Sequence, residues 1–234
     1  MYRDHFPDRA VFPVIHILSI GQIIDNLNIV ADHDADGAFL IDHSGQSPEI
    51  LRQLILLIRK EGWFERLWIG TNFLGLSYHD AFEFAYKLNL GGVWADTIEA
   101  LDPKAVSPRL DTTNFGREFP LTFGGIAFKY QPQHGDGTEE ARRAVSIGLA
   151  DILTTSGPAT GKPASIDKLQ LIRAAIGDHP LAVASGVTPE NVAEQLPYVD
   201  AFLVATGISR DPYNFDPARL RSLVNTVHAY QPPQ

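Results

Sequence analysis

The sequence predicts a single α/β domain over residues 1–234, an eight-stranded parallel (β/α)8 TIM barrel. Three observations predict it. Eight short apolar runs alternate with segments of helical periodicity, roughly 25–30 residues per unit, the pattern of a parallel sheet covered by helices. The downstream ends of those runs are rich in polar residues while their bodies are apolar. The last two runs end in a small hydroxyl residue followed by glycine, Ser185-Gly186 and Thr206-Gly207. Eight-stranded barrels build a phosphate site from the loops at that place. An open doubly wound sheet is the alternative topology for the same alternation.

Residues 1–9 are polar and read as a loose lead-in before the first strand, 11–17 (VFPVIHI). Pro13 lies near its start, where a missing N–H is tolerated. Over 21–31, Ile23, Ile24, Leu27, Val30 and Ala31 recur at helical spacing. The second strand, 37–41 (GAFLI), leads to Asp42-His43, and Ser47-Pro48-Glu49 opens a helix to about Lys60. The third, 67–71 (LWIGT), ends at Asn72; Ser77 then caps a helix to Leu88, with Asp80 in its first turn. The fourth, 92–95, ends at Asp96-Thr97, and Pro103, Pro108 and Pro120 break 98–120 into a short helix and a long loop. The fifth strand, 121–128, ends at Lys129, and Thr138 caps the helix that follows to about Gly148. The sixth, 151–155, runs into the loop Ser156-Gly157-Pro158-Ala159-Thr160-Gly161 and a helix over 165–176. After the seventh, 181–184, Thr188 reads as an N-cap with Pro189 at the first helical position. The eighth, 200–205, precedes a helix opened by Asp216-Pro217 and running to about His228, with 229–234 as a tail. At the opposite strand ends Asp36, Gly91, Asp151 and Asp200 read as turn residues.

Composition narrows the chemistry. The net charge of -9 and the lack of any run rich in lysine and arginine argue against nucleic acid as a partner. With no cysteine, disulfides, thiolate metal sites and a cysteine nucleophile are excluded. No apolar run reaches the ~20 residues of a membrane span, and the N-terminus lacks the apolar stretch of a signal peptide. A cytoplasmic address is the expectation, and a homo-oligomer is left open.

In this fold the reacting groups stand at the C-terminal strand ends. Those ends carry His16, Asp42 and His43, Asn72, Asp96, Lys129, Ser156, Ser185 and Thr206. The catalytic candidates are Lys129, Asp96, Asp42 and His16, with Asn72 positioning the substrate. Phosphate is expected on the turn amides at Ser185, Gly186, Thr206 and Gly207. Ser156, Gly157, Thr160 and His43 are expected to touch the rest of the substrate. A buried Lys129 has a depressed pKa and acts as a base, a Schiff-base former or a counter-ion. Asp42 and Asp96 serve as general acid and base or grip hydroxyls. Each of these residues also has a structural reading, as a pair closing the barrel mouth. Alternation places Gly125 and Ala127 inside with Lys129, Trp94 and Gly92 inside with Asp96, and Trp68 and Gly70 inside with Asn72; Ile126 and Phe128 then face the helices. No cofactor is expected. A divalent metal on His16, Asp42, His43 and Asp96 is an alternative unsupported by any HxH or HExxH spacing.

The segments DILTTSGPATGKP (151–163), LAVASGVTPENV (181–192) and DAFLVATGIS (200–209) resemble the BtpA/SgcQ family of barrels; VFPVIHI and Ile41-Asp42-His43 fit that pattern more loosely. SGVTPENV is also similar to phosphate-binding barrels such as phosphoribosylanthranilate isomerase. The resemblance implies an enzyme on a small phosphorylated sugar, nucleotide or ribosyl compound. It also carries two alternatives: phosphoribosyl transfer, and a catalytically inactive barrel serving photosystem-type assembly or regulation. Asp111-Thr112-Thr113 is followed by Asn114-Phe115-Gly116, which is not the loop of the common phosphoribosyltransferase fold. Given these groups, isomerase or lyase chemistry by proton transfer is the leading expectation.

Overall fold

Eight strands pair in chain order, every pair parallel: Ala10–His16 (β1), Ala38–Ile41 (β2), Ile69–Asn72 (β3), Gly92–Ala95 (β4), Leu121–Gly125 (β5), Ile152–Ser156 (β6), Leu181–Ala184 (β7) and Ala201–Val204 (β8). β8 also pairs with β1, Ala10 opposite Ala201, so the sheet closes and the open-sheet alternative is excluded. This computed structural model describes residues 2–43, 48–111, 116 and 118–231. The expected helix start at Ser47, residues 112–115 of the long loop and residues 232–234 of the tail lie outside them.

Helices follow the strands around the outside. They are Ile20–Asp32 (α2), Pro48–Lys60 (α3), Tyr78–Lys87 (α4), Pro108–Asp111 (α5), Thr138–Ser146 (α6), Ile166–Ile176 (α7), Val192–Gln195 (α8) and Pro217–His228 (α9). Several caps follow from sequence chemistry. Ser77 accepts the Asp80 N–H, Ser165 the Lys168 N–H, and Asp216 the Ala218 and Arg219 N–H groups. Two caps differ from expectation. Thr138 is already helical, and Asp136 Oδ1 takes its N–H at 2.9 Å. Thr188-Pro189-Glu190-Asn191 forms a turn in which Asn191 Oδ1 accepts the Thr188 N–H, so α8 starts only at Val192.

Two apolar layers flank the sheet. Alternate residues of β1, Val11 and Ile15, face the helices, while Phe12 and Val14 face the lumen with Phe39, Trp94, Phe123 and Leu203. Aromatic rings fill the lumen edge to face: Phe39 and Phe123 centroids lie 5.0 Å apart at 79°, and Trp68 touches Phe12, Phe39 and Phe123. Gly92 makes this possible, since a Cβ there would stand 2.5 Å from the Trp68 ring. The expected inward pair of tryptophans is therefore present.

The lower end differs from expectation in two ways. The lead-in forms a short helix, Tyr2–His5 (α1), and seats Tyr2 and Phe6 in the barrel floor against Phe123, Phe12 and Trp68. The aspartates read as turn residues are clamps. Asp36 precedes β2 and accepts the Val11 N–H of β1; Asp151 precedes β6 and accepts the Thr122 N–H of β5; Asp200 precedes β8 and accepts the Leu181 N–H of β7. Each ties the start of one strand to the start of the previous one. At the equivalent place before β4, Gly91 makes room for Trp68 instead.

Candidate functional site

Register brings the polar strand ends to one level. His16 lies opposite Ile41, Ile41 opposite Asn72, Asn72 opposite Trp94, and Ser156 opposite Ala184. A cavity of about 330 Å³ opens there. Its floor is Val14, Ile41, Trp94, Phe128, Ala184 and Leu203, and its polar wall includes His16, His43, Asp96, Lys129, Ser185 and Thr206.

Lys129 reaches this cavity by a route that alternation does not predict. β5 ends at Gly125, four residues before the lysine, and Ala127 adopts a left-handed backbone at φ 41°. The turn inverts the parity. Phe128 enters the lumen, its ring 5.8 Å from that of Trp94, and Ala127 packs outside against Gly137. Ile126 faces the helices as expected. The Lys129 N–H donates to Ser156 Oγ at 2.7 Å, and its ammonium donates to Ser185 Oγ.

Three further groups surround the ammonium. Asp96 accepts a hydrogen bond from Asn72 Nδ2 at 3.0 Å. Burial raises the Asp96 pKa, opposed by Asn72, Lys129 and His43. Burial lowers that of Lys129, opposed by Asp96. A carboxyl and an ammonium displaced toward each other's range are suited to exchanging a proton through a substrate. The His16 and His43 rings meet at a 42° tilt with centroids 4.7 Å apart. Burial, then His43 and Lys129, pull His16 down to about 4, and burial lowers His43 too, so both imidazoles are neutral at neutral pH.

The far wall is made of three loops in close contact. Ser185 stands in left-handed backbone at φ 75°, a conformation uncommon outside glycine. Gly207 lies against the Val187 carbonyl, where a Cβ would approach to 1.8 Å, and Gly186 lies against Lys162 and Pro163, where a Cβ would approach to 2.2 Å. Thr206–Ile208 is a single 3₁₀ turn, so the amides of Thr206 and Gly207 have no acceptor within it. Thr160 and Gly161 line the cavity beside Tyr130, whose hydroxyl accepts the Thr160 N–H at 3.1 Å.

Of the residues expected from sequence, His16, His43, Asp96, Lys129, Thr160, Ser185 and Thr206 line one cavity. Asp42 does not. Ile41 faces the lumen, so its neighbour turns outward and lines an adjoining hollow, which shares His16 and His43 with the cavity and is closed by Leu18, Ser19, Ile50 and Tyr213. Asn72 is buried and serves to hold Asp96. Ser156 is buried and binds the Lys129 backbone, and Gly157, Gly186 and Gly207 are loop-packing positions. Among the described residues, no group of three or more His, Cys, Asp or Glu converges as a metal requires. Sequence reading missed Glu140, Lys168, Tyr130 and Phe128. Glu140 was detectable as an acid on the apolar face of α6, beside Ala141 and Ala144.

A closed (β/α)8 barrel with an ionisable cup at the C-terminal mouth defines the class: this is a TIM barrel. Within that class, residues 126–229 match the BtpA family, which bears out the resemblance read from 151–209. An uncharacterized protein of Thermococcus kodakarensis is 38% identical over 38% of this chain and 34% of its own length. Another, of Methanocaldococcus jannaschii, is 36% identical over 45% of this chain and 41% of its own. The matched segments thus span well under half of these relatives. Solved structures share the fold at low identity. The native KDPGal structure superposes with a TM-score of 0.68 at 13% identity, covering 93% of this chain and 94% of that one. A phosphoribosyl anthranilate isomerase, in complex with a reduced carboxyphenylamino-deoxyribulose 5-phosphate, superposes with a TM-score of 0.60 at 13% identity, covering 95% and 100%. No helix among the described residues is long and apolar enough to cross a membrane.

Proposed function

We propose that this barrel is an enzyme acting on a small phosphorylated sugar, nucleotide or ribosyl compound by proton transfer, as an isomerase or lyase. One observation carries the reading. A single cavity has Asp96, Lys129 and His16 on its wall together with the exits of β7 and β8 at Ser185 and Thr206. The phosphate sits on the turn amides after those strands, with the Lys129 ammonium facing it across Ser185 Oγ. The reacting carbon lies toward Asp96. In its ionised form Asp96 removes a proton from a carbon next to a carbonyl. Lys129, in its ammonium form, protonates the resulting enolate oxygen; Asp96 then returns its proton to the neighbouring carbon while the neutral Lys129 amine takes back the enediol hydroxyl proton, so both groups end in their starting charge states. Neutral His16 donates a hydrogen bond without bringing a second cation to the mouth. The bound phosphosugar of the structural neighbour supports the ligand class by analogy of fold.

The test is thermal denaturation with inorganic phosphate and a panel of phosphorylated sugars and nucleotides. A ligand at a hundred times its Kd stabilises the native state by about 2.7 kcal/mol, which moves the midpoint measurably. Lys129→Ala abolishes the shift and any turnover while circular dichroism is unchanged. No shift from any phosphate compound, or an unchanged shift in Lys129→Ala, would overturn the reading.

A further inference from the structure

Outside the cavity, two charged side chains converge on the backbone of one residue, from either side of its Cα. Glu140 of α6 is 6% exposed, and its Oε2 accepts the Ala127 N–H at 2.8 Å. Lys168 of α7 donates to the Ala127 carbonyl at 2.6 Å and to the Ser156 carbonyl at 2.8 Å. Each spends its hydrogen bonds on backbone rather than on the other. Burial raises the Glu140 pKa and lowers that of Lys168, so each pays a desolvation cost for a contact with a main-chain group. The residue whose two flanking peptide groups they grip is the left-handed Ala127, a conformation that non-glycine residues hold only where the surroundings over-determine it. Two residues on is Lys129. The inversion at Ala127 sends Phe128 into the lumen, and Ser156, whose carbonyl Lys168 holds, takes the Lys129 N–H on its hydroxyl.

We propose that Glu140 and Lys168 are positioning residues for Lys129: by holding the two peptide groups that flank Ala127 from two helices they aim the ammonium across the cavity at Ser185. The inference rests on the reading of Lys129 as the cationic group of the site. Neither clamp residue lines the cavity that Lys129 shares with Asp96 and Ser185, although Lys168 borders an adjoining hollow that Lys129 also lines; their hydrogen bonds go to backbone.

The experiment follows the Lys129 ammonium directly, by lysine 13Cε–15Nζ correlation NMR on labelled full-length protein, with the signal assigned by its loss in Lys129→Arg. Asp96, His16, His43 and Tyr130 face this group and are left intact. In Glu140→Ala and in Lys168→Met the Lys129 signal moves to the position of exposed lysines, and its titration rises to join theirs. Glu140→Gln keeps an acceptor for the Ala127 N–H and retains the wild-type signal. Ala127→Gly added to either loss variant moves it back toward the wild-type position, because glycine adopts positive φ without the steric cost that alanine carries. Circular dichroism identifies the folded variants; Lys168→Met, which keeps the alkyl stem, carries the test where Glu140→Ala does not fold. An unmoved Lys129 signal in the folded loss variants overturns the clamp and leaves the phosphate reading standing. Unchanged phosphate stabilisation in Lys129→Ala overturns the phosphate reading and leaves the clamp standing.

Discussion

Replacing His16 with glutamine should flatten the acid limb of the stability profile. The histidine is held down to about 4, against an ordinary value of 6.5, by burial first and then by His43 and Lys129. Between those two values the unfolded chain binds more protons than the folded one, so stability rises with pH across the window and is lost as pH falls through it. Integrating the binding difference gives a loss of about 2 kcal/mol between pH 7.5 and pH 5, approaching about 3 kcal/mol below pH 4. Other groups titrate in the same window. His43 is shifted the same way and Asp96 the opposite way; Asp96 stays in the variant, and a His43→Gln background removes the coupling of His43 to His16 from the comparison. The assay is urea denaturation of wild type and His16→Gln at half-unit steps from pH 7.5 to 4.5. The wild type loses about 2 kcal/mol more than the variant by pH 5. Parallel profiles would refute the claim that His16 is held neutral in the cavity.

Three other substitutions probe different levels of the structure. Phe6→Ala opens the barrel floor beneath Trp68 and Phe12, costs about 3 kcal/mol in denaturant melts, and shifts the tryptophan emission; an unaltered melt would remove the N-terminal helix from the core. Asp151→Ala leaves the Thr122 N–H and the Arg109 guanidinium, which it meets at 2.6 and 2.8 Å, without their buried acceptor. It should destabilise by about 3 kcal/mol, and a loss below 1 kcal/mol would reduce the aspartate to a turn residue. Gly207→Ala drives a Cβ into the Val187 carbonyl, so the loops after β7 and β8 part and phosphate no longer raises the melting temperature; a retained shift would move the anion elsewhere.

Strand order, the C-terminal cup and the pairing of Ser185 with Thr206 were legible because they follow from periodicity, which reports burial directly. Alternation alone does not separate Asp42 from His43, because the two are adjacent and a strand end admits only one of two neighbours to the lumen; Ile41 facing inward places His43 in the cavity and Asp42 in the adjoining hollow that shares both histidines. The lead-in misled because Tyr2 and Phe6 are separated by polar residues that stay at the surface, so local composition reads as solvated while two rings are buried. The aspartates at the strand starts look like turn formers because their partners are backbone amides about 19 to 29 residues away, and a main-chain donor leaves no mark in sequence.

The exit of β5 shows how these levels depend on each other. Alternation assumes that the chain stays extended to Lys129, and a single alanine at positive φ breaks the assumption. Nothing in the local propensity of Ile126-Ala127-Phe128 favours that turn; alanine pays for it sterically. The compensation comes from α6 and α7, through Glu140 and Lys168, so the position of the site's lysine is decided by residues 13 and 41 places from the residue they hold. The consequence for the cup is specific. Because the strand stops at Gly125, Phe128 supplies an apolar floor, and Lys129 comes in from the rim toward Ser185 rather than up from the lumen. On the proposed reading, a ligand in this mouth would meet the Lys129 cation from the side of the β7 exit, on the wall where the two hydroxyl-glycine turns stand, and Asp96 from the side of β4.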